Sequence, residues 1–236
     1  ARKVSDDARA EAELRRAEAE AATRAKSAWV AMISHELRTP ISAILAGAAD
    51  TERAGHAQGR LIGEAGRMMT TLLDDMLDLS KLEAGRMSVE SVDFDLRTAV
   101  LDAVRAWRPH ARAKGLRMRI AGARTLPGWV SGDPTRMRQV INNLLSNALK
   151  FTKQGCVTLR LGGAANPDGT FAVTIAVADT GPGMTPDQLD RLFRPFEQLG
   201  AQTARTHGGT GLGLMISREL ARLMGGDITV ASAPGE

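Results

Sequence analysis

The sequence predicts an α+β multidomain protein: a helical hairpin that forms a dimeric four-helix bundle, followed by a separate α/β domain. Three observations carry this. Residues 5–53 hold no proline or glycine except Pro40 and Gly47 and are dense in Ala, Glu, Arg and Leu, the make-up of a long helix. After a short break, Leu61, Ala65, Met68, Leu72, Met76, Leu79 and Leu82 recur at three- and four-residue steps, and Gly85 follows as a stop signal. Beyond Gly85 the texture changes to short strand and helix patterns broken by glycines and prolines, which suits one sheet face covered by helices.

Taken in order, residues 1–26 read as a coiled-coil signalling helix, because "DDARAEAELRRAEAEAATRAK" is polar with only a thin Ala/Leu seam. Residues 27–85 form the hairpin, turned at "AGHAQG" and ending near Glu83. A lone hairpin buries too little surface to be stable, so a second copy is expected to complete a four-helix bundle. Residues 90–236 make the second domain. "LRMRI", "CVTLRL" and "FAVTIAVAD" read as strands, the last with Phe171, Val173, Ile175 and Val177 in alternation. Helical patterns occupy 96–113, 134–150, 186–193 and 212–224.

The totals bound the function. At 236 residues, with 43% hydrophobic and 25% charged side chains, the chain can bury a core and is not generally disordered. The 31 basic and 27 acidic residues alternate in sign, aromatics are 3% and tyrosine is absent. Nucleic acid is therefore set aside as a partner. No apolar run approaches the roughly 18–20 residues that cross a bilayer, and no signal peptide is evident. The chain is expected to be cytoplasmic and, beginning at Ala1, a piece of something longer. Its single cysteine, Cys156, excludes an internal disulfide and reads as an inert buried thiol.

Within "MISHELRTP", Val30, Ile33, Leu37, Ile41 and Ile44 fall within about 80° of one another on a helix and form its core seam. His35 lies roughly 140° from Val30, away from that seam. Position alone leaves a solvated histidine as the alternative. Thr39 is one turn on along the same face, and Pro40 removes the amide that would bond the Glu36 carbonyl, so a bend is expected beside His35. No second histidine or cysteine is within helical reach to complete a zinc site. A neutral imidazole is a nucleophile when one ring nitrogen keeps its lone pair and a carboxylate holds the proton on the other, and Glu36 is the candidate carboxylate. "SHELRTP" resembles the phosphoacceptor motif of sensor histidine kinases. The resemblance implies that His35 accepts phosphate from ATP, Glu36 acts as base and Thr39 helps position water for dephosphorylating a partner.

A second polar face lies in "GDPTRMRQVINNLLSNALKFT", which starts with Asp133 as N-cap and Pro134 in the first turn. Arg136, Gln139, Asn143, Asn147 and Lys150 fall within about 80° beside an apolar face of Met137, Val140, Ile141, Leu144, Leu145 and Ala148. Ordinary surface polarity is the alternative, although repeated asparagine is unusual there. Amide oxygens ligate Mg²⁺ without excess negative charge, and a nearby lysine meets phosphates. The string resembles the N box of the same family, which implies Asn147 on Mg²⁺, Asn143 and Lys150 on phosphate, and Phe151 against the nucleotide.

In "VADTGPGM", Asp179 can accept from an exocyclic amino group, while Gly181 and Gly183 leave room for a base. A tight turn uses the same residues, but in this position the string resembles the G1 box. "GGTGLGL" places Gly208, Gly209, Thr210, Gly211, Leu212 and Gly213 just before a helix, where backbone amides suit phosphate oxygens. It fits neither the P-loop nor the dinucleotide fingerprint and resembles the G2 box. "RLFRPFEQ" resembles the F box, and "LGAQTARTHG" has the small polar make-up of a lid.

Five boxes in family order cover about 27–217. The resemblance implies an ATP- and Mg²⁺-dependent histidine kinase core whose second domain is the α/β sandwich shared with gyrase- and Hsp-type ATPases. It also implies a homodimer through the hairpin and a response-regulator receiver domain, fused or separate, as phosphoryl acceptor. The end, "ITVASAPGE", stops where the family continues into a final strand, so a shortened sheet is expected. A conformational ATPase and a nucleotide-binding sensory scaffold without transfer are the rivals; the first has no use for a histidine–glutamate pair on an exposed helix, and intact His35, Glu36, Asn147 and Asp179 argue against the second.

Overall fold

The computed structural model describes residues 2–123, 126–197 and 210–235. They divide into two compact units, one running to Met87 and including Thr210–Leu212, the other starting at Ser88 and including Gly213 onward.

The first unit is a hairpin of α1 (Arg2–Arg53) and α2 (Ala57–Glu83). The helix α1 continues without interruption through Pro40. Gly55 at φ 86° makes the turn, a conformation glycine adopts without a Cβ penalty. Against α2, the first helix buries Val30, Ile41 and Ala48, with Leu45 half-buried. Leu37 and Ile44, expected in the same seam, are instead 40% and 49% exposed.

The reason lies in α2. Gly59 sits where a Cβ would come within 2.3 Å of the Glu52 amide nitrogen and 2.6 Å of the Ala48 carbonyl, and a Cβ at Gly66 would lie 2.8 Å from Leu45 Cδ2. The helices meet through glycine, at backbone distance. The large side chains Leu61, Met68, Leu72 and Met76 lie on the other side of α2 and stay exposed. Arg38 Nη2 donates to Asp74 Oδ1 across the hairpin at 2.7 Å.

The second unit runs β1 (Val92–Asp95), α3 (Leu96–Ala113), β2 (Arg117–Ala121), β3 (Trp129–Gly132), α4 (Pro134–Phe151), β4 (Cys156–Ala165), β5 (Phe171–Asp179), α5 (Pro186–Arg191) and α6 (Gly213–Leu223). The strands β2, β4 and β5 form one sheet in that order, β2 parallel and β5 antiparallel to β4; β1 and β3 pair antiparallel as a separate ribbon. Each four-residue strand of the ribbon is too short to show a period, and the sequence reading gave neither.

Caps define the helix starts. Asp95 accepts from the Thr98 amide and hydroxyl, and Thr185 and Gln188 close a capping box on α5. Asp133 accepts from the amides of Thr135, Arg136 and Glu90. Burial pushes the Asp133 carboxyl up, but those amides, with the Arg136 guanidinium, outweigh it and hold it below the usual range. The core joins Val100, Ala103 and Val104 of α3 to Ile141, Leu145 and Leu149 of α4 and to Val157, Leu159 and Leu161 on one face of β4. Cys156, expected to be buried, is half-buried: it opens β4 one residue from the core-facing Val157, so its side chain takes the opposite face. Among the described residues no helix is long and apolar enough to cross a membrane.

Candidate functional site

Two sets of side chains carry the candidate chemistry, one on each unit. On α1 the His35 side chain is 79% exposed and its Nδ1 lies 3.5 Å from Glu36 Oε1, itself on a side chain 74% exposed. That spacing exceeds the roughly 2.7–3.2 Å of a good hydrogen bond but is within charge reach. With Nδ1 turned to the carboxylate, Nε2 is the ring nitrogen left toward solvent. Thr39, one turn on, is also exposed.

The second set is organised by α4. Its two adjacent asparagines part company. Asn142 Oδ1 accepts from Trp107 Nε1 at 3.0 Å and so ties α4 to α3. Asn143 turns the other way, donating from Nδ2 to Ser217 Oγ of α6 at 2.8 Å, and its Oδ1 accepts from Asn147 Nδ2 at 3.3 Å. The start of α6 comes so close that a Cβ at Gly213 would lie 2.6 Å from Asn143 Oδ1. Sequence reasoning missed Ser217, which is 2% exposed; the signal was a serine between Ile216 and Leu220 on an apolar helix face.

At the C-terminal end of α4, Lys150 Nζ stands 4.9 Å from the centre of the Phe151 ring. Burial holds the Lys150 ammonium below the usual lysine range. Thr152, 1% exposed, donates to the Ala148 carbonyl at 2.7 Å and reaches Asp179 Oδ1 at 3.4 Å. It too was missed, hidden behind the apolar end of the helix. Asp179 Oδ1 also accepts from the Gly181 amide at 2.8 Å, and a Cβ at Gly181 would sit 2.6 Å from that oxygen. Gly183, at φ 70°, faces the Ala233 carbonyl, 1.9 Å from where a Cβ would be. Glycine is thus required at 183 by the backbone, and at 181 by the Asp179 carboxylate that folds over it.

Of the G2 residues, Gly213 opens α6 in this second unit. Thr210, Gly211 and Leu212 group with the hairpin unit, where Thr210 Oγ1 donates to Asp75 Oδ2 at 2.6 Å and accepts from the Leu212 amide. Burial pushes the Asp75 carboxyl up, against the lowering effect of the Thr210 hydroxyl. Gly208, Gly209 and the "LGAQTARTHG" segment lie outside the described residues. The F-box Phe193 is held by Arg218, whose Cζ is 4.6 Å from the ring centre while its Nε donates to Asp227 Oδ1 at 2.8 Å.

The donor set can be tested against its groups. Among the described residues no three His, Cys, Asp or Glu side chains converge as a metal cage. Mg²⁺ bound through one amide oxygen and substrate phosphates asks for no such cage. Asn147 Oδ1 is the amide oxygen not used within the asparagine pair, and Asp179 Oδ2 the carboxylate oxygen not used in its turn. These residues fit Mg²⁺ and an adenine nucleotide.

Comparison with known proteins agrees in both halves. Residues 25–85 match the His Kinase A (phospho-acceptor) domain. Residues 132–236 match the histidine kinase-, DNA gyrase B- and HSP90-like ATPase family. The sensor protein GacS of Pseudomonas syringae pv. syringae is 38% identical over 232 residues, 96% of this chain and 26% of that protein. The sensor protein TorS of Escherichia coli is 40% identical over 226 residues, 93% of this chain and 24% of that protein. The chain spans about a quarter of the length of these curated relatives. Among solved structures, full-length ShkA in complex with AMPPNP superposes with a TM-score of 0.70 at 31% identity, covering 88% of this chain and 43% of that one. With a phosphoacceptor-type hairpin followed by this ATPase fold, the chain belongs to the sensor histidine kinases of two-component systems.

Proposed function

We propose that the chain uses Mg-ATP to phosphorylate His35 and passes the phosphoryl group to an aspartate of a response-regulator receiver domain, with phosphatase activity toward the phosphorylated regulator as a further capacity. The observation that carries this is the outward imidazole of His35, with Nδ1 turned to Glu36 and Nε2 left toward solvent. In the transfer Nε2 attacks the γ-phosphorus in line, the bond from that phosphorus to the β-phosphate bridging oxygen breaks, and ADP leaves. Glu36 stabilises the positive charge that develops on the ring and takes the Nδ1 proton. Thr39 helps position water for dephosphorylating the partner regulator.

Phosphoryl transfer asks mainly for positioning and charge stabilisation. Mg²⁺ would neutralise charge between the phosphates. Asn147 would hold it, Asn143 and Lys150 would contact phosphate, Phe151 would lie against the nucleotide, and Asp179 would accept from the adenine amino group above Gly181 and Gly183. Gly209, Thr210, Gly211, Leu212 and Gly213 would supply backbone amides to phosphate. Residues 1–26 serve as a signalling helix, 27–85 as the dimerisation and phosphotransfer domain, and 90–236 as the catalytic domain. The unit boundary between Met87 and Ser88 supports that division.

The exposed stripe on the hairpin supports a homodimer. Leu37 and Ile44 with Leu61, Met68, Leu72 and Met76 form apolar surface that a second copy would cover. The test of the whole reading is labelling with γ-labelled ATP. Acid-labile, base-stable label is expected to vanish in His35→Ala and to survive changes at His56, His110 and His207. Label that persists in His35→Ala overturns the proposal.

A further inference from the structure

The charges of this chain stop alternating between residues 103 and 132, which contain no Asp or Glu. Within that stretch Arg108 and Arg112 of α3 face Arg117 and Arg119 of β2 across a cleft of about 420 Å³ floored by Ala111, Leu116 and Met118. All four arginines are exposed, and among the described residues none has a carboxylate within ion-pair distance. The cleft shares no residue with the nucleotide set.

The strand side of the cleft is an open sheet edge. β2 pairs only with β4 among the described residues. The Arg117 amide donates to the Gly155 carbonyl, toward β4. In a parallel ladder the backbone groups of alternate residues point to opposite sides, so those of Met118 and Ile120 point off the edge, away from β4. Arginines on an edge strand blunt it against self-association, which accounts for Arg117 and Arg119. It does not account for Arg108 and Arg112 on the helix opposite, nor for the apolar floor between them.

We propose that the groove between α3 and β2 binds an extended acidic peptide segment, which adds a strand to the free edge of β2 while its carboxylates meet Arg108, Arg112, Arg117 and Arg119. Main-chain pairing gives such a ligand its affinity, and side chains at alternate positions give specificity. Guanidinium forks suit carboxylates. The unpaired edge favours a peptide over a small anion, because it satisfies backbone groups that an ion leaves bare. No aromatic side chain lines the cleft, which disfavours single-stranded nucleic acid.

The test uses the full chain and a fluorescent peptide of alternating Glu and Val, about seven residues long. It is compared with a Lys/Val peptide, with a Glu peptide carrying proline at every second position, with short duplex DNA and with anionic phosphatidylserine vesicles. Binding by anisotropy is expected for the Glu/Val peptide only, weakened at least tenfold in Arg108→Glu/Arg112→Glu and weakened by the prolines. Amide exchange at Met118 and Ile120 should slow on binding, while ATP binding is unchanged in the double variant, showing that it folds. Equal binding by the variant, equal binding of the proline peptide, absent protection at Met118 and Ile120, or preferred binding of DNA or vesicles each overturns the proposal.

Discussion

Replacing Gly213 by alanine sets two effects of similar size against each other, and the structure decides where each is felt. The new Cβ would stand 2.6 Å from Asn143 Oδ1, 3.1 Å from its Cγ and 3.2 Å from its Nδ2. To restore a contact near 3.4 Å, the amide must retreat from α6 by roughly 0.8 Å. Ser217 lies one turn along the same helix, so that retreat also stretches the 2.8 Å bond from Asn143 Nδ2 past hydrogen-bond range. Losing that bond costs about 0.5–1.5 kcal/mol. Alanine in place of glycine returns up to about 1 kcal/mol of helix propensity, less in the first turn. Stability therefore changes little, and the melting temperature should move by under about 3 °C. Nucleotide binding has no such compensation. In the proposed site a misplaced Asn143 should lose a phosphate contact worth about 1.4 kcal/mol or more, a tenfold rise in Kd. Calorimetric titration with Mg-ATP beside a thermal melt separates the two. Unchanged affinity at unchanged stability would refute the placement of Asn143 at the phosphates; Ser217→Ala, which removes the bond without the overlap, should show a weaker form of the same defect.

Gly59→Ala puts a methyl against the backbone of Glu52 and Ala48 and should destabilise the hairpin by about 1–3 kcal/mol. At Gly63 the nearest atom is the far end of the Arg67 side chain at 3.3 Å, so Gly63→Ala should gain up to about 1 kcal/mol; equal melting temperatures for the two variants would sink the close-approach argument. Hydrogen bonding from Arg218, with the Ile228 amide second, holds the Asp227 carboxyl at about 2 against its ordinary 3.8. A depressed carboxyl pKa contributes stability above the unfolded value and loses it as pH falls through the folded one, so the Arg218–Asp227 tie should weaken between about pH 4 and pH 2. Acid melts of Asp227→Asn should converge on those of the unchanged chain across that window, and a constant gap would refute the assignment.

The long elements were legible because their periods run over many residues: α3 and α4 begin at residues 96 and 134, where the helical spacing and, for α4, the Asp133 cap placed them. The strands of the main sheet were legible for the same reason. What did not show was set by contact, not by period. In α2 the strongest apolar stripe drew attention, yet the surface meeting α1 includes Gly59 and Gly66, which carry no hydrophobic signal at all. In α1, Leu37 and Ile44 lie outside the contact with α2 in the single chain. The candidate residues His35, Asn143 and Asp179 stood out by residue type, whereas Ser217 and Thr152 contact Asn143 and Asp179 from other positions in the chain and are visible only once α4, α6 and β5 are side by side.

The helix α4 shows why stability and nucleotide recognition should be coupled in this unit. One face buries Ile141, Leu145, Ala148 and Leu149 in the core. A second side sends Asn142 to Trp107, and a third presents Asn143 and Asn147 one turn apart. Past its C-terminal end Thr152 reaches Asp179. An α-helix of 18 residues is a stiff rod roughly 27 Å long. Asn143 and Asn147, proposed for phosphate and Mg²⁺, are therefore set by a single rigid element, whereas Asp179, proposed for adenine, is carried by β5 and linked to α4 through Thr152. A core substitution that tilts α4 should move Asn143 and Asn147 together and disturb the Thr152 link to Asp179, whereas one that only loosens β5 should move Asp179 alone.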